Sequence, residues 1–116
     1  MSDQPRIDRA VFAELQDSAG ADFVAELVGT FAEETPGLLA ELRHAQAAGL
    51  ADRFRRAAHS IKSNSSTFGV RQLAELARAL ELGGLPAGTG PLDELEAEFR
   101  HALAALQAVA REDGGG

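Results

Sequence analysis

Apolar residues recur along this chain at spacings of three and four positions, which is the repeat of an amphipathic α-helix. Four stripes of this kind are present: Phe23, Leu27, Val28 and Phe31 continuing into Leu38, Leu39, Leu42 and Ala45; Leu50, Phe54, Ala57, Ile61 and Phe68; Leu73, Leu76, Ala77 and Leu80; and Leu92, Leu95, Phe99, Leu103 and Leu106. Valine and isoleucine are sparse and never alternate with polar residues over the length of a strand. The pattern therefore predicts an all-α protein.

A short helix is predicted ahead of these stripes, over Arg9–Gln16. Asp8 precedes it and has a side chain that can cap the free N–H groups of a first helical turn. Ile7 and Phe12 have the spacing of a hydrophobic staple, in which the residue before the cap packs on the fourth residue of the helix.

The four long helices are predicted over 22–48, 51–68 and 70–82, and from Pro91 onward. Gly49 and Gly69 follow the second and third helices, where glycine commonly takes the left-handed conformation that ends a helix. The segment "GGLPAGTGP" predicts a loop because glycine and proline interrupt it repeatedly. Pro91 then suits the first turn of the last helix, where its missing N–H costs nothing.

Pro36 lies inside the second predicted helix, and an interior proline costs about 3 kcal/mol because it removes a hydrogen bond and clashes with the preceding turn. At ~100° per residue, however, the apolar faces before and after Pro36 lie within about 20° of each other. One bent helix that continues to Ala48 therefore explains the pattern better than two separate helices.

Four long amphipathic helices with mostly short connections predict an up-and-down four-helix bundle, with the short N-terminal helix capping one end. The chain has 116 residues, enough for a single domain with a hydrophobic core. Residues 1–6 and 112–116 are expected to form frayed tails. Because the apolar stripes are all used within one bundle, we expect a monomer.

Composition excludes several classes of function. The formal net charge of −7 disfavours binding to nucleic acids and to anionic membranes. The absence of cysteine excludes disulfides, thiol catalysis and cysteine-based zinc sites. No apolar run approaches the ~20 residues of a membrane span, and the N-terminus lacks the apolar region of a secretion signal. A soluble cytoplasmic protein is expected.

The third helix carries a histidine on its predicted solvent face. His59 falls about 160° from the centre of that helix's apolar stripe. Its neighbours at helical spacing are cations and small polar residues: Arg55, Arg56, Lys62, Ser63 and Ser66. Serine is a mediocre helix former, so helix stability does not explain its use on an exposed face. Small neighbours would instead leave the imidazole accessible to a partner's active site, and the cations would attract an arriving phosphoryl group.

The segment "AHSIKSNSSTFG" resembles the histidine phosphotransfer (HPt) family, whose hallmark is a histidine followed by a lysine, small residues and a glycine at the helix end. His59, Lys62 and Gly69 match that pattern. The resemblance extends to "FVAELVGTFAEETPGLLAEL" before the motif and "LAELARALE" after it, and covers about Asp22 to Leu106. Ser63 departs from the family, which usually has glycine at this position.

The resemblance implies a carrier in a two-component phosphorelay. His59 would accept a phosphoryl group through Nε2 from the aspartate of a response-regulator receiver domain and pass it to another receiver. Lys62 would orient the phosphoryl group, and Arg55, Arg56, Ser63 and Ser66 would form the docking surface. Mg²⁺ would come from the receiver, so no cofactor of its own is expected. "GGLPAGTGP" lacks the lysine and hydroxyl residue of a P-loop, so ATP-dependent kinase activity is not expected.

Two alternatives close to this interpretation remain. The phosphoacceptor domain of a chemotaxis-type histidine kinase shares the bundle and the motif, but takes its phosphoryl group from an ATP-bound kinase domain. A non-catalytic docking bundle would explain the fold but not the small polar residues around His59.

A metal site is a further alternative, because Glu41/His44 and Glu98/His101 both have the Glu-x-x-His spacing of di-iron bundles. Both histidines fall about 145–150° from the apolar centres of their helices, and both glutamates are predicted at the rims. The third helix supplies no inward carboxylate. The sequence therefore disfavours a metal site, and the acidic pairs in "EAEF" and "AEETP" are predicted on solvated faces.

Overall fold

The computed structural model describes residues 6–114, and within them the chain forms five helices and no strand. Their bounds are α1 Arg9–Ala19, α2 Ala21–Ala48, α3 Ala51–Phe68, α4 Arg71–Gly83 and α5 Gly90–Gly114. The all-α prediction is confirmed for these residues. The third helix has the predicted bounds, and the others differ from prediction only near their ends.

The long helices pack on one another in chain order, with α2 against α3, α3 against α4 and α4 against α5. Helix α5 also returns to α2, while α1 rests on α2 and α3. The predicted stripes supply most of the core. Within the core, the ring of Phe31 on α2 packs against one aromatic ring from α3 and one from α5. Its ring centroid lies 5.3 Å from that of Phe68 and 5.5 Å from that of Phe99, at the tilted and edge-on angles that aromatic pairs prefer.

The start of α1 is fixed against the end of α3. Asp8 accepts hydrogen bonds from the backbone N–H groups of Ala10 and Val11, which confirms it as the N-cap. Its own N–H donates to the Gly69 carbonyl at 2.8 Å. Gly69 has φ +75°, and a Cβ there would lie 3.0 Å from the Asp8 carbonyl oxygen. Glycine at this position therefore both ends α3 and lets α1 approach.

Helix α2 continues through Pro36, as predicted. Proline provides no N–H for the Ala32 carbonyl, so one helical hydrogen bond is lost. Phe31 before the proline and Leu39 and Leu42 after it are all buried on the core side. The burial of this shared face outweighs the cost of the proline.

The structure differs from the pattern-based expectations at Phe23 and at the inner ends of the two predicted tails. Phe23 is 52% exposed, because α2 turns the neighbouring Val24 into the core instead. Helix α5 extends to Gly114 and so includes residues 112–114 of the predicted C-terminal tail. Arg6 is held by a two-pronged ion pair with Glu98, at 2.7 and 3.1 Å, and is not part of a tail. The rest of the predicted tails, 1–5 and 115–116, lies outside the described residues.

No helix within the described residues is both long and apolar enough to cross a membrane.

Candidate functional site

The third helix presents His59 to solvent, as its phase predicts. The side chain is 55% exposed. Phe54, Ala58, Ile61 and Ser65 occupy the opposite side of α3 and are fully buried in the core. This amphipathic arrangement fixes the direction in which the imidazole leaves the helix, because Cβ positions on a helix follow from the residue number.

Glu81 of α4 holds the inner nitrogen of the ring. Its Oε2 lies 2.8 Å from His59 Nδ1. A carboxylate at this distance accepts a hydrogen bond from Nδ1–H, which leaves the lone pair of the neutral ring on Nε2. In the neutral ring, the contact therefore favours the tautomer that has its proton on Nδ1 and its lone pair on Nε2.

Lys62 binds the other oxygen of the same carboxylate. Its Nζ lies 3.0 Å from Glu81 Oε1, so one glutamate of α4 holds both the histidine and the lysine of α3. The Lys62 ammonium, and after it the contact with His59, lower the pKa of Glu81 below its ordinary value of 4.5. Glu81 is therefore ionised throughout the neutral range.

A shallow groove runs between α2 and α3 beside the imidazole, with a volume of about 470 Å³. His59, Ser60, Ser63 and Asn64 line it from α3; Glu34, Gly37 and Leu38 line it from α2. Small residues thus line part of the groove on both helices, Ser60 and Ser63 on α3 and Gly37 on α2, and more than half of the His59 side chain is exposed. The site can admit a convex partner surface.

Comparison with known proteins is consistent with this geometry. The family model described as "Hpt domain" matches residues 26–109, which is most of the chain. The chain belongs to the Hpt domain family. It is therefore a histidine phosphotransfer domain with a role in a phosphorelay. The crystal structure of histidine-containing phosphotransfer protein B (HptB) from Pseudomonas aeruginosa PAO1 is similar, with TM-score 0.74 and 27% sequence identity over 96% of each chain. The comparison with curated proteins found no match.

Ser63, which stands where the family resemblance led us to expect glycine, lies beside the outer nitrogen of the ring. Its Oγ is 3.5 Å from His59 Nε2. In the neutral ring with its proton on Nδ1, Nε2 is the acceptor and the Ser63 hydroxyl is the donor. The distance is at the upper limit for a hydrogen bond, so the contact holds the nitrogen only weakly.

The other predicted docking residues also lie on α3, but they have different surroundings. Arg56 lines a continuation of the groove together with Leu38 and Ser60, toward the start of α3. Arg55 is exposed, and its guanidinium lies 3.8 Å from the carboxylate of Asp52 one turn earlier. Ser66 is exposed but borders none of the grooves described here; its carbonyl accepts a hydrogen bond from Gly69.

The two Glu-x-x-His pairs do not converge. Glu41 binds Arg53 of α3 at 2.6 Å, and Glu98 binds Arg6, while His44 and His101 are exposed. The prediction that Glu98 lies at a solvated rim is wrong: its side chain is 9% exposed, and the Arg6 guanidinium compensates its charge. Within the described side chains, no group of three or more potential ligands is positioned to hold a metal ion.

Sequence reasoning missed Glu81 as well as the α2 side of the groove. A signal for Glu81 was available, because Gly69 reverses the chain between α3 and α4. His59 lies ten residues before that glycine and Glu81 twelve after it, so both fall at a similar height along neighbouring helices. An acidic residue at this distance was a candidate partner for the histidine.

Proposed function

We propose that His59 is the phosphoacceptor of this Hpt domain. The observation that supports the assignment most directly is the pairing of an exposed ring with a fixed tautomer: the side chain is 55% exposed and Nδ1 is engaged by Glu81 at 2.8 Å. In the neutral ring, the available lone pair then lies on Nε2 at the surface. Phosphoryl transfer depends mainly on such positioning and on electrostatic stabilisation.

In the proposed step, the Nε2 lone pair attacks the phosphorus of an aspartyl phosphate on a receiver domain. The P–N bond forms as the P–O bond to the aspartate breaks, and the carboxylate leaves with the bonding electron pair. The ring keeps its Nδ1 proton and gains one positive charge. The Glu81 carboxylate stabilises that charge through the hydrogen bond it already accepts. Transfer to a second receiver reverses the same bond changes.

Lys62 is proposed to orient and neutralise the phosphoryl group. Lys62 follows His59 by three residues, a little less than one helical turn, and its ammonium is held near the site by Glu81. In water an exposed charge pair is worth about 1 kcal/mol, so Lys62 assists the step rather than driving it. The main electrostatic stabilisation, including Mg²⁺, is assigned to the receiver, whose aspartate carries the phosphoryl group.

The docking surface is proposed to include Arg55, Arg56, Ser63 and Ser66, extended by the groove between α2 and α3. Receiver domains or a sensor histidine kinase are the proposed partners. We further propose that the protein acts as a cytoplasmic monomer, and that α2–α5 form an up-and-down four-helix bundle capped by α1. The contacts of α2 with α3 and α5, and of α4 with the same two helices, support this arrangement.

The test is phosphotransfer from a panel of purified receiver domains carrying radiolabelled aspartyl phosphate. Wild type should be labelled by at least one receiver, and His59→Gln by none. His44→Gln and His101→Gln are matched controls, because both replace exposed histidines away from the groove, and both should be labelled like wild type. Equal labelling of His59→Gln and wild type would refute the assignment. Labelling only by an ATP-bound kinase domain would favour the chemotaxis-type alternative.

A further inference from the structure

The hydroxyl of Ser63 lies beside His59 Nε2, at 3.5 Å, and has no role in the bond changes of the proposed transfer step. We infer that Ser63 binds the phosphoryl group on His59 by donating a hydrogen bond to one of its oxygens, and thereby shifts the transfer equilibrium toward the phosphorylated Hpt domain. This inference rests on the proposed role of His59. It assigns to Ser63 a contact with the transferred group in addition to its place on the docking surface.

The direction of the Ser63 side chain supports the inference. Serine and threonine inside helices commonly donate to the carbonyl four residues earlier. Ser65 does so to Ile61 at 2.6 Å, and Thr67 does so to Ser63 at 3.1 Å. Ser63 differs from these two residues. Its hydroxyl contacts the side chain of the residue four positions earlier, at His59 Nε2, rather than a backbone carbonyl.

The distance suits the phosphorylated ring better than the free one. At 3.5 Å from Nε2, the Ser63 Oγ is too far for a strong hydrogen bond to the nitrogen itself. A phosphoryl group on Nε2 places its oxygens two covalent bonds outward from that nitrogen, into the space beside the hydroxyl. The donor would then face a charged acceptor, and hydrogen bonds to charged acceptors are the stronger ones.

Lys62 does not occupy this position in the unphosphorylated protein. Its ammonium is held at 3.0 Å by Glu81 Oε1, and Glu81 binds the ring at Nδ1, the nitrogen away from the phosphoryl group. Ser63 is therefore the donor that already lies beside Nε2. A glycine at this position would have no group that could replace it.

The experiment separates contact with the phosphoryl group from docking. Docking alters the rates of transfer in both directions, whereas only a contact that differs between the phosphorylated and free forms alters the equilibrium constant. The equilibrium constant is measured with the receiver that labels wild type, by radiolabel partition at protein concentrations too low to populate the complex. Ser63→Ala should lower the phosphorylated fraction, with a decrease in the constant of about three- to fivefold for a partly exposed, charge-assisted hydrogen bond.

Two matched variants make the result specific. Ser63→Thr keeps the hydroxyl and should retain an equilibrium constant close to that of wild type. Ser18→Ala removes an exposed serine of α1 and should change nothing. An unchanged constant in Ser63→Ala, or an equal loss in Ser63→Ala and Ser63→Thr, would overturn the inference.

A partner-free arm distinguishes this failure from failure of the proposed function. Phosphoramidate, a small phosphoryl donor for histidine, is used to charge the protein directly, and the product is followed by ³¹P NMR. Absence of phosphohistidine at His59 in wild type would contradict the proposed function itself. Charging of wild type and Ser63→Ala with identical ³¹P shifts and identical transfer equilibria would leave the function standing and remove the role of Ser63.

Discussion

Two clusters of charged side chains connect neighbouring helices at the surface, and they differ in what they leave unpaired. In the Arg43 cluster, the guanidinium of Arg43 on α2 donates to Asp93 and Glu96 on α5 at 2.7 and 2.8 Å. In the His59 cluster, Glu81 of α4 binds His59 and Lys62 of α3 at 2.8 and 3.0 Å. Both use a residue of one helix to hold two on another.

The two clusters differ in whether an atom with a lone pair stays outside the ion pairs. The two carboxylates of the Arg43 cluster are engaged by a planar guanidinium, which suits two-pronged binding and carries no lone pair for chemistry. The His59 cluster uses only one ring nitrogen for its ion pair and leaves the other at the surface. Interhelical charge pairing therefore stabilises the fold in the first case and, in the function proposed above, positions a nucleophile in the second.

The largest effect is expected from blocking that second nitrogen. Ser63→Arg places a long side chain beside Nε2 and across the docking surface, and should reduce transfer by about 100-fold, as expected for misplacement of reacting groups. Helical content by circular dichroism should stay at the wild-type level, because Ser63 is exposed. Unchanged transfer would show that this face is not the interface.

A smaller loss of transfer rate is expected when the His59 ring stays accessible but its contact with Glu81 is weakened. Glu81→Gln keeps the size of the side chain and removes its charge, and should lower the transfer rate about tenfold, in the range seen for groups that orient a functional histidine. The ¹⁵N shifts of the imidazole should report a mixture of the two neutral tautomers instead of one. Glu75→Gln, an exposed glutamate of the same helix, serves as the control. A wild-type tautomer in Glu81→Gln would contradict the positioning role.

Loss of the Lys62 charge should have a weaker effect. Lys62→Ala is expected to slow transfer by about threefold, since an exposed ion pair contributes little in water. Measuring the rate at several salt concentrations sharpens the comparison, because screening should reduce the difference from wild type. Complete loss of transfer with normal receiver binding would mean that the lysine does more than assist.

The smallest effect on transfer is expected at the Arg43 cluster. Arg43→Ala should leave the transfer rate unchanged and lower the midpoint of thermal unfolding by a few degrees at pH 7. Arg43 lowers the pKa of Glu96 below its ordinary value of 4.5. The stability that this pair contributes is complete above that value and is lost as the pH falls through the lower pKa of the folded state.

The difference between wild type and Arg43→Ala should therefore be larger at pH 7 than at pH 3, by circular dichroism during thermal unfolding. A difference that grows on acidification would contradict the assignment of stability to the ionised pair. Reduced transfer in Arg43→Ala with normal folding would remove the distinction between the two clusters.

Much of the molecule follows from local rules that act within one helix. Asp8 as a cap, Gly49 and Gly69 as helix ends, and the passage of α2 through Pro36 are each decided by a few neighbouring residues. The outward direction of His59 belongs to the same class, because ~100° per residue relates its side chain to the apolar stripe whatever that stripe packs against. These features were predicted from the sequence.

Other features depend on which helices become neighbours and how each is rotated. Contact between Glu81 and His59, the groove with Glu34 and Gly37, and the burial of Glu98 under Arg6 all join segments far apart in the chain. Phe23 also belongs here, since its stripe includes more positions than the core can bury. Helical periodicity defines a face to within a turn, but ion pairs and grooves depend on distances of a few ångströms between helices. The sequence alone therefore determined the helices and the exposed histidine, whereas the tertiary structure decided which nitrogen of that histidine is held by Glu81 and which lies at the surface.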